Sequence, residues 1–67
     1  MVQLHVNDQA YQYATEISLP QLLKDLNLPA KGIAIAINQT VIPKTSWPTV
    51  RLKHDDKVLV IKATQGG

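Results

Sequence analysis

The sequence predicts a two-layer α+β domain, a single sheet with one short helix laid across it. Three patterns point there. Val2, Leu4 and Val6 alternate with Gln3, His5 and Asn7, and Ile33, Ile35 and Ile37 alternate with Ala34 and Ala36, the period of two of a strand. Leu19, Leu22, Leu23 and Leu26 fall at i, i+3, i+4 and i+7, one stripe of a helix. Val58-Leu59-Val60-Ile61 is apolar without a break and too short for a helix, so it reads as a buried strand.

In chain order, the Val2–Val6 segment is a strand with one wet face. Asn7-Asp8-Gln9 turns the chain, because Asn and Asp tolerate positive φ. A second strand follows from Ala10 to Ala14. A two-residue loop at either 7-8 or 8-9 puts Tyr11 and Tyr13 on the face of Leu4. The helix start is well marked. Ser18 suits the N-cap, Gln21 completes a capping box, and Ile17 and Leu22 stand at staple positions. Pro20 sits in the first turn, where its missing N–H costs nothing. Pro29 disfavours helical geometry in the residue before it, so the helix should stop near Asn27-Leu28.

The β-branched isoleucines at 33, 35 and 37 favour a strand. Asn38-Gln39-Thr40 turns the chain again, and Pro43 limits Val41-Ile42 to a short edge strand. Residues 44–53 read as irregular, with Trp47 as a core plug beneath them. His54-Asp55-Asp56 is a further turn. The order β-β-α-β-(short β)-β needs one helix over one sheet face. Residues 1–62 make the domain, and Ala63-Thr64-Gln65-Gly66-Gly67 should protrude as a flexible tail, about 16 Å when extended at ~3.3 Å per residue.

Composition narrows the chemistry. With 67 residues the chain makes one domain, and at that size folding buries only about 60% of the unfolded surface. A deep catalytic pocket would have to be cut from the single core, which argues against an enzyme. The absence of cysteine excludes disulfides, zinc thiolates and a cysteine nucleophile. His5 and His54 lack a Glu or Cys at ligand spacing, so no metal site is expected, and both should be exposed. Asp55 and Asp56 are turn residues that point apart rather than a catalytic pair. The net charge of +2 comes from basic residues spread singly along the chain, unlike the clustered basic face of a nucleic-acid binder. No apolar run approaches the ~20 residues of a membrane span, and Met1-Val2-Gln3-Leu4-His5 is unlike a signal peptide. The expectation is a cytoplasmic protein that binds neither nucleic acid nor membrane.

What chemistry remains lies in Gly66-Gly67. A strand that runs into a short tail ending in two residues without Cβ atoms suits a narrow tunnel where any side chain would clash. The group delivered at its end is a carboxylate, a poor electrophile that must be activated elsewhere.

The whole chain is similar to the ubiquitin-like β-grasp proteins and, within them, resembles the ThiS family. Asn7-Asp8-Gln9 matches the first hairpin turn and Leu22-Leu23…Leu26 the helix stripe. Ala36-Ile37-Asn38-Gln39…Val41-Ile42-Pro43-Lys44…Trp47 resembles the family's strand, turn and Pro-basic-x-x-Trp segment. Asp56, Val58, Val60 and Gly66-Gly67 resemble its final turn, strand and tail. Two features depart. His54-Asp55-Asp56 stands where the family usually has Asp-Gly-Asp, and the pI of about 9.2 is unlike its acidic members.

The resemblance implies a mixed sheet of four to five strands covered on one face by one main helix. It implies a sulfur carrier, not an enzyme: a ThiF-like adenylating enzyme, using ATP and Mg²⁺ that this chain does not bind, activates Gly67. A cysteine desulfurase relay then supplies sulfur, and the resulting thiocarboxylate serves a ThiG-like thiazole synthase in thiamine biosynthesis. Thr64, Gln65 and Gly66 form the threaded tail. In a β-grasp order the last strand lies between the first strand and the Ile33–Ile37 strand. If Val58 and Val60 face the helix, Leu59 and Ile61 face away from it beside Ala34 and Ala36, an apolar patch suited to partners; the alternative, with Leu59 and Ile61 in the core, stays open because an unbroken apolar run does not declare its parity. The rival families are the small subunit of molybdopterin synthase, which carries Pro-Pro where this chain has Lys62-Ala63-Thr64, and ubiquitin-like modifiers conjugated to lysines.

Overall fold

The computed structural model describes residues 1–29 and 31–62. Its main sheet has five strands: β1 (Val2–Val6), β2 (Gln9–Tyr13), β4 (Ile33–Ile37), β5 (Thr40–Ile42) and β7 (Lys57–Lys62), in the order β2-β1-β7-β4-β5. Strand β7 runs parallel to β1 and antiparallel to β4, so the sheet is mixed. A second, two-stranded sheet pairs β3 (Ile17–Ser18) with β6 (Arg51–Leu52). Helix α1 (Leu19–Asp25) covers one face of the main sheet, and a 3-10 helix (Lys44–Thr49) packs beside it.

Two hairpins set the registers. Asn7 and Asp8 take φ of 47° and 69°, and Asn38 and Gln39 take 50° and 72°. Positive φ at both central residues is the type I′ turn that matches strand twist. The first loop therefore lies at 7-8, and β2 spans Gln9–Tyr13, one residue earlier than expected. Tyr11 and Tyr13 stand opposite Leu4 and Val2, on the helix side. Burial, and then the Asp25 carboxylate beside it, raise the Tyr13 phenol above its ordinary pKa.

The helix begins as expected. Ser18 Oγ accepts from the Gln21 amide at 3.2 Å, and Pro20 lies in the first turn. The capping box is one-sided, since the Gln21 side chain donates to Asp25 instead. The Leu19 N–H finds the Val50 carbonyl at 3.0 Å, which ties the helix start to the chain entering β6. The helix ends earlier than Pro29 alone would dictate. Asn27 takes φ of 56°, and its N–H and that of Leu28 return to Lys24 and Leu23 at 3.1 and 2.8 Å. This is a Schellman cap closed by Asn.

Val2, Leu4, Val6, Leu19, Leu22, Leu23, Ile35, Val58 and Val60 form the buried core between sheet and helix, with Leu26 and Ile37 packed against it. Trp47 plugs the end of this core, its indole N–H donating to the Ile42 carbonyl at 3.0 Å. The 44–53 segment is not irregular. It folds as the 3-10 helix followed by β6, and it supplies Leu52, which is fully buried. Two residues carry no periodicity, so only the pairing of Leu52 with Ile17 reveals that strand.

Past Val6 the β1–β7 ladder continues through a side chain. Asn7 Oδ1 accepts from the Val60 N–H at 2.8 Å, and Asn7 Nδ2 donates to the Val60 carbonyl at 3.3 Å. The amide thus stands in for a residue of β1 where that strand has already turned away. Asn7→Ala is expected to cost about 1–3 kcal/mol by orphaning these part-buried groups. Urea denaturation measures it, and an unchanged midpoint would show that water replaces the amide.

Candidate functional site

The site is the open face of the main sheet, opposite α1. Along β7, Val58 and Val60 are buried under the helix, while Leu59 and Ile61 point the other way and are 50% and 46% exposed. Register decides their neighbours. Leu59 stands opposite Ala36 and Ile61 opposite Ala34 on β4. Ala36 in turn stands opposite Val41 on β5, which is 68% exposed. Ala36 is buried although it lies on the open face, its short methyl sheltered between the two larger side chains. A shallow apolar surface results, and it extends to the C-terminal end of the sheet's central strand.

Val41 was not among the patch residues legible in the sequence. Taking Asn38-Gln39-Thr40 together as the turn hides its parity. The two-residue loop pairs Ile37 with Thr40, and that register sends Val41 to the side of Ala36.

Next to Leu59 the surface becomes polar. His5 and Lys57 are side-by-side partners on β1 and β7. With Asn7, Asp8 and Gln39 from the two hairpin turns they line a hollow of about 310 Å³. His5 is therefore half-buried beside Lys57, not fully exposed as its parity suggested. The sheet's end is held by a connected set of bonds. Asp56 accepts from the Lys53 N–H at 2.8 Å and from Asn38 Nδ2 at 3.0 Å, and Asn38 Oδ1 accepts from the Lys57 N–H at 3.0 Å. Asp55 takes φ of 70°, within the tolerance of Asp for this region. Its carboxylate lies 3.5 Å from His54 Nε2, whereas that of Asp56 accepts from Lys53 and Asn38. His54 is exposed, yet its Nδ1 accepts the Gln3 N–H at 3.0 Å, so it pins β1 to this turn.

Among the described residues no three His, Asp or Glu side chains gather at metal-ligand spacing, and no helix there is long and apolar enough to cross a membrane. Thr64, Gln65, Gly66 and Gly67 lie outside the described residues. The patch and the hollow suit protein contact, since they offer exposed apolar area with a polar border.

A five-stranded mixed sheet with one main helix across one face and the other face open is a ubiquitin-like β-grasp domain. The fold is similar to that of a crystal structure of the thiamine biosynthesis protein ThiS from Geobacter metallireducens, with a TM-score of 0.85 at 22% identity, covering 98% of this chain and 100% of that one. A solution structure of a thiamine biosynthesis protein from the same organism gives 0.78 at 22% identity, covering 98% of this chain and 88% of that one. In sequence, the chain is 33% identical to the sulfur carrier protein ThiS of Escherichia coli (strain K12) over 66 residues, covering 98% of this chain and all of that protein. It is 29% identical to the uncharacterized protein ycf40 of Porphyra purpurea, covering 98% of this chain and 93% of that protein. The ThiS family model matches residues 4–67, and the chain belongs to the ThiS family.

Proposed function

We propose that this protein is a sulfur carrier of thiamine biosynthesis that works through the carboxyl group of Gly67. The observation that carries the reading is the family match, which runs through Gly66 and Gly67 and extends over the whole length of a sulfur carrier at 33% identity.

The chemistry follows from the poor electrophilicity of a carboxylate. A ThiF-like enzyme, holding ATP and Mg²⁺, joins the Gly67 carboxylate to AMP with loss of pyrophosphate. The terminal sulfur of a persulfide charged by a cysteine desulfurase relay attacks the acyl carbon and AMP departs, which leaves an acyl disulfide. A thiol then attacks the relay protein's sulfur of that S–S bond, a disulfide forms on the relay side, and the Gly67 thiocarboxylate is released. A ThiG-like synthase takes that sulfur into the thiazole ring. The described residues supply docking, not catalysis. Leu59, Ile61, Ala34, Ala36 and Val41 present a preformed apolar surface at the strand that leads into the last five residues. Glycines at 66 and 67 suit entry to a closed active site because no Cβ meets its walls. The protein is a co-substrate of both enzymes rather than a catalyst.

Intact-mass measurement of the protein purified from cells with an active thiamine pathway tests this. The expected result is a fraction in which one oxygen at the terminus is replaced by sulfur. Isopeptide adducts on other proteins would make it a modifier instead, and neither product would end the carrier reading.

A further inference from the structure

Opposite the open sheet face, on the helix layer, lies a second concave surface. Residues of α1 and of the 3-10 helix, with Leu28, line a groove there of about 380 Å³. Leu23, Leu28 and Trp47 form its floor, and Pro20 and Pro48 form its walls. Proline walls are rigid, so little backbone freedom is lost when a ligand settles between them.

The charges around the groove have one sign. Lys24 and Lys44 stand on it, and no carboxylate lines it. The ion pair found among the described residues joins His54 to Asp55 and involves neither lysine. Asp25, the acid next to Lys24 in sequence, accepts from the Gln21 side chain. Lys44 Nζ lies 6.0 Å from the centre of the Trp47 ring, a distance at which the cation is attracted to the ring face. The surface therefore combines apolar floor, rigid walls and two ammonium groups.

We propose that this groove is a docking site for a short protein segment carrying an aromatic or branched aliphatic side chain flanked by carboxylates. The apolar side chain fills the space over Leu23, Leu28 and Trp47, and the carboxylates meet Lys24 and Lys44. Because the groove and the open sheet face lie on opposite layers, a partner on one leaves the other uncovered. The chain can then hold two proteins at once, one on each side. This inference does not depend on the sulfur-carrier reading.

The test is a titration of the ¹⁵N-labelled full chain with the acetylated, amidated pentapeptide Glu-Asp-Phe-Leu-Glu. Amide signals of Leu23, Lys24 and Leu28 and the indole signal of Trp47 should move together, and high salt should weaken binding several-fold. The double variant Lys24→Glu/Lys44→Glu should lose binding with an unchanged melting curve, since both side chains are exposed. Two control peptides separate the components. Glu-Asp-Gly-Ser-Glu keeps the charge without the apolar side chains, and Lys-Lys-Phe-Leu-Lys does the reverse. Equal binding of either control would overturn the proposal. So would shifts centred on Leu59 and Ile61, or none at millimolar peptide.

Discussion

Removing Gly67, or adding one alanine after it, is expected to abolish adenylation by the cognate activating enzyme while leaving the melting curve unchanged. The argument is one of reach. The chain is anchored in the sheet as far as Lys62, where β7 still pairs with Ile33. From there the position of the reactive carboxyl depends on the number of residues that follow, at ~3.3 Å each when extended. A change of one residue displaces the carboxyl by about that much, and misplacement by ~1 Å already costs on the order of 10²-fold in rate. The added alanine keeps a terminal carboxylate, so loss of activity in that variant reports position and not mere absence of the group. Neither change touches the core, whose nearest member is Val60. ATP–pyrophosphate exchange is the measurement. Normal exchange by either variant is incompatible with the carrier role of Gly67.

The same dependence on local against distant information explains how much was legible beforehand. Strand parity in β1 and β4 can be read along the chain, because each alternation concerns neighbours two residues apart and burial selects one face, whereas the unbroken apolar run of β7 declares no parity of its own and takes it from the strands it pairs with. The start of α1 is legible for the same reason. Ser18, Pro20 and Gln21 act within one turn. Pro29 is the stop signal the sequence offers for its end, whereas Asn27 closes it in a left-handed conformation. Asn is among the few residues that adopt this conformation without glycine, and no sequence pattern forces it. Leu52 and Val41 depend on pairings, with Ile17 across 35 positions and with Ala36 across a tight turn, and a two- or three-residue strand has no period to betray it. The Asn7 amide bridging to Val60 is invisible in sequence, since it joins residues 53 apart. The groove is likewise hidden, because Pro20 and Pro48 come to line one surface only after α1 and the 3-10 helix have packed. The candidate site divides along the same line. Leu59, Ile61, Ala34 and Ala36 follow from parity and strand order, while the hollow beside them needs two hairpin turns brought together.

Leu59→Glu should fold normally and bind the activating enzyme at least about 30-fold more weakly, the consequence of ~2 kcal/mol or more lost at a central contact. Fold and binding separate at this position because Leu59 is half exposed in the free protein. A glutamate there extends its carboxylate into water, and the loss is limited to strand propensity and contact with Ala36, within ~1 kcal/mol. In a complex the same carboxylate is taken out of water against an apolar surface without a partner, a penalty of several kcal/mol by order of magnitude. Lys57 lies two residues earlier on the same face and is the nearest cation on that strand. Lys57 lines the polar hollow, and neither Ala36 nor Val41 is part of that lining. Calorimetry with the activating enzyme, beside a urea melt of the free protein, reads both terms. A variant that melts like the parent and still binds with parental affinity would remove the open sheet face from the docking surface.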